Sequence, residues 1–447
     1  MTDPLELLHD LIGRARRAGA DAADAVLASG TSLSVQRRLG QTEHVERSEG
    51  QDLGLRVFVG KRSAIVSSSA IDRGGFDRLA ERAVAMARAV PEDPYGGLAA
   101  EAVLDTALLD AASLDLADAA EPDTEALVAR ASQAEEAALS VPGITNSEGA
   151  EAGYSRTALA LATSAGFAGR YARTGHSVSV TALAGEGTGM QRDYDYSSAV
   201  HLADLEDARE IGLSAAHRAI ARLDPRRPKT TVLPVVYHPR VAGGLVGHLL
   251  GAINGASVAR GTTFLKDKLG QRVLPAGIDV FDDPRRVRGL RSRPFDGEGV
   301  GTSSRPLVED GVLATWLLDS RTGRQLGMPT TGHAARAVGG PPSPAPSNVY
   351  MAAGRLSPAE LMADIGEGLF VTELIGMGIN GLTGDYSRGA AGFMIRDGVL
   401  AEPVAEITIA GNLLDMFATL TAANDLQFKR GTDAPTLRVE RMTMAGA

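Results

Sequence analysis

Residues 239–257, PRVAGGLVGHLLGAINGAS, are the most informative stretch of the chain. Pro239 suits a first helical turn, where its missing N–H leaves no hydrogen bond unmade. Val241, Leu245 and Leu249 recur at i, i+4 and i+8, which predicts one helix with a buried stripe, running to Ser257. The preceding TTVLPVVYH (230–238) reads as a buried strand leading into it. His248 stands beside the stripe with no acid or second histidine near it on the helix. A zinc peptidase helix carries two histidines on one face and a glutamate beside the first, to hold the metal and deprotonate its water. Here Leu249 follows His248, and Ala252 and Ile253 lie four and five positions on.

Outward from this helix, the chain's 447 residues exceed the size at which one core usually stops growing, so two domains are expected. Asp224-Pro225-Arg226-Arg227-Pro228 is the natural boundary, between a unit spanning 1–224 and one spanning 229–447. The formal charge of −10 argues against a general nucleic-acid or anionic-membrane surface. No cysteine is present, so neither a disulfide framework nor a thiolate metal site is available. The opening MTDPLELLHDLIGRARRAG has acids among its apolar residues and no basic leader region, so it does not read as a signal peptide. No apolar run approaches the ~20 residues of a membrane helix, and the cytoplasm is the expected location.

Leu5, Leu8, Leu11 and Ile12 predict an amphipathic helix over Pro4–Ala18. Five strand patterns follow: DAADAVLAS, TSLSVQRRLG, QTEHVERSEG, DLGLRVFVG and KRSAIVSSS. Gly40, Gly50 and Gly60 fall where hairpin turns belong, which predicts an antiparallel meander. Helices are expected over Asp72–Ala89 and Thr124–Leu139, with Pro91–Asp123 wrapping the surface between them. Strands return over Ile144–Ala199. The acids Asp204, Glu206, Asp207 and Glu210 then suit the start of a helix reaching Arg222. Beyond the boundary the pattern is mostly strand, with turns at Asp310-Gly311 and Asp397-Gly398. The run GGPPSPAP (339–346) is expected as a stiff exposed loop or a partner contact. The fold class is α+β: an N-terminal antiparallel meander with helices, then a β-rich domain carrying one central helix.

Four blocks in order, GLVGHLLGAINGASVARGTTFLKDKLG (244–270), RPFDGEGVGT (293–302), TGDYSRGAAGF (383–393) and PVAEITIAGNLLDM (403–416), carry a family resemblance. The chain resembles the TldD/PmbA family, once called modulators of DNA gyrase, and more closely its PmbA (TldE) branch. TldD-type members bear H-E-x-x-x-H on the corresponding helix, and a later cysteine completes their zinc site. Of that set only His248 stands here. The resemblance implies a subunit without metal ligands that pairs with a TldD-like zinc peptidase, forming a heterodimer around a channel for short or unfolded peptides. Zinc then belongs to the partner and no cofactor to this chain. A surface built for a homologous partner also admits a second copy of the chain. Two other classes stay open: an active hydrolase working as a homodimer, and a non-enzymatic protein acting on gyrase or another target.

Asp385, Tyr386, Ser387 and Arg388, set between glycines, are the peptide- or partner-binding candidates. Arg388 offers a planar fork for a carboxylate, and the bland alternative is a turn closed by an Arg388–Asp385 pair. His248 reads as a helix histidine bonded to backbone, or as the remnant ligand of a non-standard metal. Glu298 is expected as a turn acid at the surface or in a cleft, and His333 as a hydrogen-bonding residue within its loop. Arg37 and Arg38 are expected to pair across strands with Glu43, Glu46 and Glu49. Gly185-Glu186-Gly187 is a turn. No nucleophile elbow, phosphate loop or dinucleotide fingerprint is present.

Overall fold

The computed structural model describes residues 3–100 and 110–446, so part of the Pro91–Asp123 stretch lies outside the described residues. The N-terminal half is one antiparallel sheet of β1 (Ala22–Arg38), β2 (Gln41–Val59), β3 (Arg62–Ser68), β4 (Ile144–Thr163), β5 (Ala168–Ala184) and β6 (Gln191–Ala199). Its order is β3-β2-β1-β4-β5-β6. Gly40 and Gly60 turn the chain with φ of 76° and 59°, as expected, but Gly50 does not. Gly30 and Gly50 instead face each other inside one ladder, so the first four predicted strands fuse into two long ones. Glycine weakens a strand without ending it when both neighbours keep their partners.

Four helices cover one face of this sheet: α1 (Pro4–Arg17), α2 (Phe76–Ala89), α3 (Thr124–Leu139) and α4 (Ala208–Ala221). Strand side chains alternate between faces. Ala23, Ala25, Leu53, Leu55, Ala160 and Ala162 therefore pack under α1 and α2. Val35, Ala150, Ala152, Val178 and Val180 pack under α3 and α4. Asp3, Asp123 and Asp207 cap their helices by accepting backbone N–H groups. The opposite face meets the C-terminal half, where Val26, Leu161 and Phe167 enclose Phe295.

In the C-terminal half, β7 (Thr231–Tyr237) runs parallel to the strand Glu367–Ile379 and antiparallel to Leu437–Ala445. Asp385–Arg396 and Val399–Asn412 continue the sheet, and Val399–Asn412 also pairs with Leu437–Ala445, closing it on itself. The helix α5 (Pro239–Ala252) sends Ala242, Leu245, Val246 and Leu249 into the core of this half. It is shorter than predicted: Asn254 accepts the Ala256 N–H and starts a separate turn, Gly255–Ala259. The Asp310-Gly311 and Asp397-Gly398 turns both have positive φ and sit between antiparallel strands. Within the proline-rich run, Ser343–Pro344 pairs with Ala334–Ala335, so part of it is regular after all. The mixed α+β architecture matches the sequence reading.

Candidate functional site

His248 projects from α5 toward the strand Asp385–Arg396. Its ring lies edge-on to Tyr386 with centroids 5.8 Å apart, and the expected backbone hydrogen bond of the ring is absent among the described residues. Burial, then the nearby Arg388 guanidinium, pushes the His248 pKa down, so the imidazole is neutral. The Tyr386 ring is 2% exposed. Next to it Tyr237 donates its hydroxyl to Met442 Sδ at 3.1 Å. Burial, then Tyr386, pushes the Tyr237 pKa well above that of a free phenol.

The segment read as a turn is therefore a strand, and its four candidates part company. Tyr386 and Arg388 share the face turned to α5, while Asp385 and Ser387 are exposed on the other. Asp385 accepts from Thr383 Oγ1 at 2.6 Å and from Asn412 Nδ2 at 3.2 Å, so it does not close a turn with Arg388. Arg388 Nε is buried without a partner among the described residues.

These residues do not fit a zinc ion. Leu249 and Ile253, at the positions where the motif needs its acid and second histidine, are packed into the core. The charged group facing His248 is a cation, which opposes a metal dication. Among the described residues no three His, Cys, Asp or Glu side chains converge as a ligand set.

A second cluster escaped sequence reasoning, because its members come from β1, β2 and two distant loops. Asp24 accepts from Arg56 Nε at 2.7 Å and from Arg336 Nη1 at 2.6 Å, all three buried at the seam between the halves. Burial opposes the Asp24 charge, but Arg56 and Arg336 outweigh it and hold the carboxyl below its usual range. Glu298 approaches Arg56 to 4.0 Å and accepts the Ser320 N–H at 2.8 Å. It is 4% exposed, so it is an interior acid and not a surface turn residue. Burial, then the Asp296 charge, raises its pKa to about 7, with Arg56 pulling the other way and Asp319 adding to the rise. A raised carboxyl pKa means stability present below the unfolded value and lost as pH climbs through the folded one. Between pH 5 and 8 this group should remove about 2–3 kcal/mol. Glu298→Gln should flatten that fall, as read by urea denaturation at both pH values; an unchanged slope would place the titration elsewhere.

A further knot ties α4 to the C-terminal half. Asp193 accepts from Arg240 at 2.7 Å and Arg222 at 3.3 Å, and Arg222 also pairs with Glu373. His333 bonds Thr331 Oγ1 at 2.8 Å within its loop and Asp282 at 3.0 Å. Gly185–Gly187 form the expected turn before β6. Arg37 and Arg38 pair differently from expectation. They face Thr42 and Gln41 in the ladder and bond Thr42, Gly40 and Ser147 instead of the β2 acids.

The same architecture occurs in solved structures. A putative modulator of DNA gyrase from Bacteroides thetaiotaomicron superposes with a TM-score of 0.89 at 25% identity, covering 99% of this chain and 98% of that one. TldE from Thermococcus kodakarensis gives 0.85 at 20% identity, covering 98% and 100%. Residues 23–87, 117–223 and 230–446 match domain 1, the central domain and the C-terminal domain of PmbA/TldA metallopeptidases. The metalloprotease PmbA of Escherichia coli O157:H7 is 38% identical over 95% of this chain and 92% of its own length. The PmbA homologue of Haemophilus influenzae is 35% identical over 97% and 94%. The chain belongs to the PmbA/TldD metallopeptidase family, in its PmbA branch.

Proposed function

We propose that this chain is the TldE/PmbA-like, non-catalytic subunit of a two-chain zinc metallopeptidase acting on short or unfolded peptides. A TldD-like partner supplies the zinc; this chain supplies wall, interface and a docking strand. The observation that carries the reading is the packing of Leu249 and Ile253 into the core, at the two helix positions where the resemblance to TldD-type members implies the acid and second histidine. The hairpin bearing the candidates supports an interface. Ile375, Met377 and Leu382 are exposed by 59%, 84% and 57% near its tip, an apolar display suited to a partner. Asp385 and Ser387 lie on its exposed side, and Arg388 offers a fork to a carboxylate once drawn outward. Peptide capture by strand addition fits this β-rich half. No described helix is long and apolar enough to cross a membrane, and a cytoplasmic site of action belongs to the same proposal.

Metal analysis of the purified chain tests it. Zinc well below one ion per chain is expected. Stoichiometric zinc, together with a peptidase activity abolished by His248→Ala, would overturn the reading.

A further inference from the structure

A cleft of about 140 Å³ opens where the end of β6 meets the 284–290 loop, the strand Val349–Met351 and the 428–433 loop. None of its lining residues belongs to α5 or to the strand Asp385–Arg396. Arg286, Arg288 and Arg430 line it together with Asp204 and Asp433, which leaves one positive charge in excess. Both aspartates are already engaged. Asp204 accepts from Arg288 Nη1 at 3.0 Å, and Arg288 Nε also donates to Asp115 at 2.6 Å. Asp433 is buried and accepts the backbone N–H groups of Lys429, Arg430 and Gly431 at 2.9–3.1 Å. Arg286 and Arg430 have no ion-pair partner among the described residues, and each meets an aromatic ring instead. The Arg286 guanidinium lies 3.2 Å above the Phe428 centroid, and that of Arg430 lies 5.6 Å from the Tyr196 centroid. A guanidinium stacked by its face keeps its N–H donors in its own plane, free for a planar oxyanion.

Buried polar side chains lock both loops in place. Asn348 donates to the Asp283 carbonyl and to Ser292 Oγ, each at 2.8 Å, and accepts the Arg291 N–H at 2.8 Å. Ser292 Oγ in turn donates to the Arg286 carbonyl at 2.5 Å. The Asp433 carboxylate fixes the 429–431 backbone in the same way. Tyr350 packs edge-on against Phe428 with centroids 5.2 Å apart, so the platform under Arg286 is itself braced. A site ordered before its ligand arrives loses less entropy on binding. The charge balance selects among anions. A single excess positive charge matches a carboxylate, whereas a phosphate dianion would also face Asp204 and Asp433. Phe428 is exposed and offers an apolar contact to whatever carries the carboxylate.

We propose that this cleft binds the C-terminal carboxylate of a peptide between Arg286 and Arg430, with the last side chain against Phe428. The choice of a peptide rests on the peptide-handling reading above. The carboxylate site does not, since it is read from the arginines of this chain and needs neither zinc nor a partner.

Isothermal titration calorimetry of the full chain alone tests it, with an N-acetylated pentapeptide ending in leucine, as the free acid and as the C-terminal amide. The free acid should bind at least about tenfold more tightly, because amidation removes the charge that the two forks meet. Arg286→Gln and Arg430→Gln should each weaken the free acid by about tenfold and leave the amide unchanged. Arg286→Lys keeps the charge without the planar fork and should recover only part of the loss. Equal binding of acid and amide, or full affinity for the acid in both glutamine variants, would overturn the site. N-acetylleucine binding at the cleft while the pentapeptide does not would overturn the peptide and keep the carboxylate. Inorganic phosphate displacing the pentapeptide better than N-acetylleucine does would overturn the choice of a singly charged ligand. Turnover or zinc in the lone chain would overturn the non-catalytic reading and leave this preference for the free acid standing.

Discussion

Asp24→Ala should cost about 3–5 kcal/mol of stability, because it strands two guanidiniums in the interior. Arg56 and Arg336 both bond this carboxylate, from β2 and from a loop 312 residues away in sequence. Once the carboxylate is gone, Glu298 at 4.0 Å is the acid left within ion-pair distance of Arg56 among the described residues, with Asp319 acting from further off. Its pKa of about 7 leaves it only partly charged near neutrality. With Arg56 freed, the charged form of Glu298 is favoured, so the variant's stability should fall less steeply with pH than that of wild type and the gap between the two should narrow as pH rises. Denaturant melts of wild type and variant from pH 6 to 8 check both parts. A loss below about 1 kcal/mol, typical of an exposed pair, would show that the seam is hydrated and that Asp24 does not anchor it.

Leu249→Glu should be nearly as damaging, and it speaks to function. The substitution writes the family's missing acid beside His248, but Leu249 is 1% exposed and packed in the core. Removing the leucine side chain alone costs about 2–5 kcal/mol, and the new carboxyl adds the penalty of a buried group that must stay protonated or find a cation. The variant should melt earlier and gain no zinc, since Ile253 still fills the second histidine position and Arg388 still faces the imidazole. Thermal denaturation with metal analysis reads both. A stable variant that takes up one zinc would mean that this helix keeps a latent metal site.

Periodicity carried much of the fold. α3 matches its prediction, and α1 and α5 begin where Pro4 and Pro239 suit a first turn. What periodicity could not reveal was continuity: Gly30 and Gly50 look like turn residues and are tolerated because they oppose each other in a ladder. The end of α5 was also hidden, because Asn254 caps a new turn inside an apolar run. At the site, local sequence showed which chemistry the His248 helix lacks but not which way the nearby side chains point. Flanking glycines suggested a turn at Asp385–Arg388, whereas cross-strand pairing to Ile409–Asn412 makes it a strand and sends Tyr386 inward. The Asp24–Arg56–Arg336–Glu298 cluster left no local pattern. Its one sequence signal is charged residues inside otherwise apolar strands, such as Asp24 in DAADAVLAS and Arg56 in LGLRVFV.

The most direct test of a non-catalytic subunit is cleavage of an unstructured peptide by this chain alone, by a zinc-bearing TldD-like chain alone, and by the two together. The account predicts no turnover by this chain and strong turnover only in the mixture, with zinc traced to the partner. Turnover by this chain alone, free of any partner and lost on chelation, would contradict it.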